Sequence, residues 1–346
     1  PNPNENFIDA TFGDGGHAVE ILKHTAPEGK ILGIDWDKKA IESFDGRGLD
    51  TRSIFIYASE PQITPTEKSE DRSGVEPLPV PKEERIILVC GNFADIRDIA
   101  GSAGFTGVKG VLFDLGFRTG QIEGEEKGEI GGRGFSFQKN EPLDMRYHVT
   151  RTDADYTRTN AENIGTRTDA DYTQIHADNS NSLTAEKIVN EWPEKDLERI
   201  FREYGEERNA KRVARSITES RRSGRIRTTG ELVEILDRSN RTYGTNRIKT
   251  LARIFQALRI AVNNELENIR LGLEGAWDII GKEGKIAAIS FHSLEDRIVK
   301  NFFADKKKIG EGKILTKKPV TASEEEIKNN PKSRSAKLRV IRKCPI

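Results

Sequence analysis

A chain of 346 residues is long enough for two domains, and with 35% hydrophobic residues it can bury a core. Its 56 basic and 56 acidic side chains cancel, so net charge singles out no partner and only the placing of charge is informative. No apolar run approaches the roughly 20 residues that cross a bilayer and no signal-peptide pattern opens the chain, so a cytoplasmic protein without membrane contact is expected.

Phe7-Ile8-Asp9-Ala10-Thr11 predicts a short buried strand, and Ala18, Val19, Ile21 and Leu22 recur at helical spacing. Because that strand begins almost at Pro1, a further N-terminal segment is expected to precede it. Gly13-Asp14-Gly15-Gly16 stands between strand and helix. Glycines there let backbone approach a ligand, and the free N–H groups of the helix favour a polar or anionic group. A nucleotide-like cofactor is expected, with an ordinary tight turn as the alternative. A second strand over Lys30–Ile34 ends in Asp35, about 20 residues past the glycines, where nucleoside-binding folds set a carboxylate against ribose hydroxyls. A helix follows over Lys38–Phe44.

Residues 45–84, rich in Pro, Ser, Glu and Asp, read as an inserted surface loop with one short strand at Ile54–Tyr57. Arg85–Cys90 is a third strand, leading into Gly91-Asn92-Phe93, and Gly110–Phe113 a fourth, ending at Asp114. Strands alternating with helices predict an α/β fold with a mostly parallel, doubly wound sheet over residues 1–148. From Gly116 the chain is glycine-rich and aperiodic, as a substrate-facing loop is. The octet TRTDADYT then occurs twice, at Thr150–Thr157 and Thr166–Thr173. Two polar copies cannot stack into a solenoid, so 149–181 reads as a flexible duplicated insertion without function.

Residues 182–247 read as a small helical substrate-recognition domain. It opens on a Ser or Thr cap and carries apolar positions at Leu197, Ile200, Phe201, Tyr204, Val213, Ile217, Leu232, Val233 and Leu236. Within it, residues 211–227 hold seven Lys or Arg and one Glu, a density suited to phosphate contact. A long helix over Thr250–Leu273 is expected to return the chain to the first domain, which residues 248–346 complete with a strand at Lys285–Phe291 and a basic C-terminal tail. His292, Ser293 and Asp296 invite a hydrolase reading, but no nucleophile elbow surrounds the serine; a structural or substrate-binding role at a strand end is preferred. Cys90 and Cys344 have neither disulfide nor zinc spacing, which fits a reducing compartment and indicates no metal site.

NAD and S-adenosylmethionine (SAM) both fit a glycine loop, a ribose carboxylate and further residues at strand ends. Gly-Asp-Gly-Gly-His lacks the third glycine at dinucleotide spacing, which weakens the pyrophosphate reading. Taken in order, GDGGHAVEIL, GIDWDKKAIE, GNF, FDLGFRTGQ, RGFSF, PLDMR, FREYGEERNAKRVARSI, FQALRIAVNNELENI, ISFHSLEDRIVKNFF and NPKSRSAKLRVIRK resemble the RsmH family, also called MraW. The resemblance runs from residue 7 to 343. It implies a class I SAM methyltransferase domain, Rossmann-like, with an all-helical domain inserted into it. The implied reaction is SAM-dependent methylation of cytosine N4 at position 1402 of 16S rRNA, in the decoding centre of the small subunit. The implied SAM-binding residues are Gly15, Gly16 and His17 in the loop, Asp35 at the ribose, Phe93 at the adenine, and Asp114 and Gln121 near the methionine end. Phe117, Arg118 and Thr119 depart from the small residue and two serines usual in the family, and the loop Glu123–Arg133 is longer than usual.

A cytosine amine is a poor nucleophile until an acceptor orients it and takes its proton, and the target base must leave its stack. Asp114 is the leading catalytic candidate, with Asp144 second. Arg133, Lys139 and Arg146 in the loop region, Lys211, Arg212 and Arg215 on the helical domain, and Arg334, Lys337 and Arg339 in the tail are the candidate RNA contacts, with a steeply salt-dependent affinity expected. The alternatives are a catalytically silent RNA-binding or ribosome-assembly protein and, further off, an NAD-dependent oxidoreductase. A homodimer is left open.

Overall fold

The computed structural model describes residues 1–46, 54–57, 84–116, 132–147, 183–239 and 247–345. The chain divides into two units, Pro1–Gly116 with Leu266–Ile346, and Phe117–Glu265.

The first unit is built on a nine-stranded sheet. Its strands are β1 (Asn6–Asp9), β2 (Ile31–Asp35), β3 (Ile54–Tyr57), β4 (Ile86–Cys90), β5 (Val108–Asp114), β6 (Lys285–Ser290), β7 (Gly312–Ile314), β8 (Val320–Thr321) and β9 (Lys337–Lys343). They run in the order β3-β4-β2-β1-β5-β6-β9-β7, with β8 also paired to β9. The first six are mutually parallel. From β1 the chain steps one way to β2 and β4 and then the other way to β5 and β6, which makes the carboxyl ends of β1 and β5 the switch point where doubly wound sheets bind ligands. The helices are α1 (Gly16–His24), α2 (Lys38–Glu42) and α3 (Ile96–Ser102), and, later in the chain, α9 (Glu265–Ile279), α10 (Ser293–Lys308) and α11 (Glu324–Asn329).

Alternation along the strands sorts the core onto two faces. Ile8, Leu32, Ile34, Ile87 and Val89 pack with Ile96 and Ile99 of α3, Leu273 and Trp277 of α9, and Val299 and Phe303 of α10. Ile31, Ile86, Leu88 and Cys90 pack on the other face with Ala18 and Leu22 of α1 and Ile41 of α2. Burial on both faces is why β4 reads as an unbroken apolar run.

Two expectations are corrected. The tail is not merely basic: Lys337–Lys343 forms β9, antiparallel to β6, β7 and β8, with Ile341 fully buried. Its basic residues alternate with Leu338, Val340 and Ile341, a strand pattern that reading for charge alone passes over. The helix expected over Thr250–Leu273 is two, α8 (Arg247–Asn263) and α9, broken at Asn264 with φ of 50°. Apolar spacing continues across the break because both helices bury a stripe. A single Asn, which tolerates the left-handed region, makes the corner without disturbing that pattern. Residue 248 therefore does not begin the return to the first unit; α8 packs within the second.

The second unit gathers α4 (Ala185–Glu191), α5 (Glu194–Glu203), α6 (Ala210–Ser220), α7 (Thr229–Ser239) and α8 around a core that includes Leu197, Ile200, Phe201, Val213, Ile217, Leu232 and Leu236. Thr184 caps α4, its hydroxyl accepting the Lys187 N–H at 3.2 Å. The segment Glu141–Tyr147 is clamped to these helices. Leu143 and Met145 enter the core, and the Asn263 side chain donates to Met145 O and accepts the Tyr147 N–H. Arg259 and Glu265 form a buried bidentate pair beside it. Among the described residues, no helix is long and apolar enough to cross a membrane.

Candidate active site

The glycine turn is shaped by its backbone. Gly13 and Gly15 have φ of +54° and +73°, and a Cβ on Gly15 would stand 2.6 Å from the Phe44 ring and 2.7 Å from Phe12. Both conformation and space demand glycine there. Gly15→Ala is expected to cost about 1–3 kcal/mol in urea unfolding; an unchanged midpoint would show that the turn has another way to close. Gly15 caps α1, and the first helical N–H to bond back is that of Val19, to Gly15 O. The N–H groups of Gly16, His17 and Ala18 thus lie in the turn that has no intrahelical acceptors, a setting for a carboxylate.

Asp35, at the end of β2, ties the turn to the sheet. Its Oδ2 accepts the Gly13 N–H at 2.7 Å and its Oδ1 the Asp37 N–H at 2.7 Å. Each carboxylate oxygen has a second lone pair, so Asp35 can fix the loop and still accept from hydroxyls. Phe93 opens a short 3₁₀ turn after β4, half-buried, edge-on to Phe113 at 5.8 Å and packed over Gly272.

Asp114 ends β5 at the switch point. Its N–H donates to Thr11 Oγ1 at 2.6 Å, which joins the ends of β1 and β5. Its Oδ2 lies 3.8 Å from His17 Nδ1, while its Oδ1 is buried and, among the described residues, without a hydrogen-bond partner. Burial pushes this carboxyl above its usual range and Glu295 adds to the effect; His17 and the Gly116 N–H oppose it.

A residue that sequence reasoning passed over joins the group. Asp9, at the end of β1, is 1% exposed and, among the described residues, its Oδ2 has no hydrogen-bond partner. Burial raises its pKa from 3.8 to about 7, with Asp114 and Asp35 contributing as like charges and the Thr11 N–H opposing. In the sequence Asp9 reads as one residue of a strand. The available signal was an acid inside an apolar strand just ahead of a glycine turn, a placement that costs stability unless it serves a ligand.

The remaining candidates are spread out. His292 caps α10 in a capping box with Glu295, whose carboxylate accepts the N–H groups of Phe291 and His292; this is the structural role at a strand end. In the same unit Arg339 makes a bidentate pair with Asp296, and Lys337 Nζ is 3.6 Å from it. Arg334 is exposed. In the second unit Asp144 is held by Arg146 in a bidentate pair, and the Arg133 guanidinium donates to Arg146 O and Tyr147 O. Lys139 is exposed, as are Lys211, Arg212 and Arg215 on α6, the last paired with Glu219. Gln121, Phe117–Thr119, most of the expected surface loop, the residues of the long loop up to 131 and the duplicated insertion lie outside the described residues.

Comparison with known proteins gives this geometry its family. The sequence pattern of the MraW methylase family matches residues 1–57, 75–176 and 167–344. The chain belongs to the MraW methylase family. The last two matched stretches overlap at residues 167–176, where the second copy of the repeated octet stands. The chain is 39% identical to the ribosomal RNA small subunit methyltransferase H of Persephonella marina, over 97% of this chain and 92% of that protein. It is 40% identical to the protein of the same name from Sulfurihydrogenibium azorense, over 97% and 92%, and 36% identical to that of Symbiobacterium thermophilum, over 98% and 91%. The sheet order of this methylase, with its last strand antiparallel and a helical unit spliced between β5 and β6, is that of a class I SAM methyltransferase carrying an inserted helical region.

Proposed function

We propose that this methylase transfers a methyl group from SAM to the N4 amine of a cytidine in the decoding centre of 16S rRNA. The observation that carries the reading is Asp114: a carboxylate at the switch point, joined to β1 through Thr11, flanked by the glycine-loop histidine, and holding one buried oxygen open to a donor.

The residues fit SAM. Among the described residues, the buried Oδ2 of Asp9 and Oδ1 of Asp114 lack partners, and acids suit a cationic ligand better than a phosphorylated one. The first turn of α1 offers N–H groups to a carboxylate, Asp35 offers lone pairs to ribose hydroxyls, and Phe93 offers a ring to adenine. When bound, SAM supplies an electrophilic methyl group on a sulfonium. This chain's own task is to orient a weak nucleophile, accept its proton and keep water away, which is chiefly positioning. Asp114 Oδ1 accepts from the amine and so directs its nitrogen toward the methyl group.

The RNA is gripped by phosphate contacts, for which the exposed Lys211, Arg212 and Arg215 on α6 are the leading groups, helped by Lys139 and Arg334. Arg133, Arg146, Lys337 and Arg339 are already engaged within the protein and act first by shaping the loop and the β6 end. Asp144, whose carboxylate holds Arg146, is better read as a buttress than as the acceptor. The test is transfer of labelled methyl from SAM to small ribosomal subunits lacking the modification, with mass mapping of the RNA. Label on one cytidine N4 is expected; label elsewhere, or none, overturns the reading.

A further inference from the structure

We propose that His17 is the proton outlet of the active site, draining through Asp114 the proton that the amine gives up. The inference rests on the methyl-transfer reading above and deepens it. In that reaction the amine's electron pair forms the new N–C bond, sulfur keeps the pair of the C–S bond that breaks, and the nitrogen sheds one proton. Asp114 Oδ1 is the buried, unpartnered oxygen placed to take it. A carboxyl that keeps this proton on a buried oxygen blocks the next turnover, so the proton needs a way out.

The structure offers one at the other oxygen. His17 Nδ1 stands 3.8 Å from Asp114 Oδ2, and the two side chains differ in exposure, 53% for His17 against 29% for Asp114. That gradient runs from the less exposed acid toward solvent. The separation is longer than a hydrogen bond, as acid-base pairs commonly are before ligands tighten the site. The carboxyl group turns its proton toward Nδ1, and the imidazolium returns it to bulk water. Once protonated, His17 holds Asp114 in its ionised, accepting form by its charge, against burial and against Glu295. Among the described residues, the titratable groups coupled to Asp114 are His17 from α1, Glu295 from α10 and Asp9 from β1, whose own carboxyl Asp114 pushes up. Of these His17 alone is a base, and Asp9 and Glu295 are both buried.

His17 therefore has a role beyond lining the cofactor loop, and it acts on the amine through Asp114 as a positioning residue. Two measurements test this. In the SAM-free protein, NMR titration of the Asp114 carboxyl is expected to move to higher pH in His17→Asn, because the imidazolium that opposes burial is lost; an unmoved titration overturns the pair. In multiple-turnover transfer at saturating SAM, His17→Asn is expected to be about 10-fold slower than wild type, with the deficit relieved by added imidazole and SAM still bound in calorimetry. Full speed at saturating SAM, with only weaker SAM binding, makes His17 a cofactor ligand and nothing more, and overturns the outlet alone. Absence of transfer by the wild-type chain overturns the reaction and the outlet together.

Discussion

Asp114→Asn is expected to slow single-turnover methyl transfer by about 10²- to 10⁴-fold while the chain stays folded. The amide preserves shape, and its main-chain N–H still donates to Thr11 Oγ1, so the junction of β1 and β5 survives. What it loses is the carboxylate whose Oδ1 is buried without a partner among the described residues and whose Oδ2 faces His17. An amide oxygen can still orient an amine, but it cannot take the proton. Rapid-quench measurement at saturating SAM separates this from weaker cofactor binding, since a pure binding defect disappears at saturation. A rate within a few-fold of wild type would remove Asp114 from the chemistry and leave it a cofactor residue.

Asp9→Asn is expected to do the opposite to stability: the variant should unfold at higher urea than wild type at pH 8, and the gain should vanish near pH 4. Asp9 has a pKa of about 7 in the folded chain against 3.8 for the free side chain. Between those values the folded state holds a proton that the unfolded state has released, so stability falls as pH rises through this window. Above it, folding must keep an ionised carboxylate in a buried site, at a cost of about 4 kcal/mol as an upper limit. The asparagine has no such cost and keeps an oxygen for the Thr11 N–H. SAM binding by the same variant, read by calorimetry, should weaken, because a cationic ligand is what rewards the ionised acid. A stability difference that does not change with pH would show that Asp9 is ionised normally. Weaker SAM binding together with the gain in stability would show a costly group at the switch point retained for function at the expense of stability.

Most of the first unit was legible in the residues. Apolar runs at Lys30–Ile34, Arg85–Cys90, Gly110–Phe113 and Lys285–Phe291 all became parallel strands, because strands buried on both faces show themselves by composition alone. Glycines that need positive φ, and an acid one strand later, marked the carboxyl edge of the sheet at its switch point for the same local reason. The tail strand β9 was missed because its apolar residues are interleaved with basic ones, and the corner at Asn264 because one residue carries it.

The sequence by itself determined the class of sheet, the glycine turn, the acids at the ends of β2 and β5 and the basic face of α6, since each depends on neighbours in the chain. Only the tertiary structure decided which charged groups are engaged: Arg146 with Asp144, Arg339 with Asp296, Arg133 with main-chain carbonyls. It alone brought Asp9, His17 and Asp114 to one edge from three separate elements. Pairing and burial are long-range properties. A carboxylate's charge state is set by what folding removes from around it, water above all, and no local pattern of residues records that.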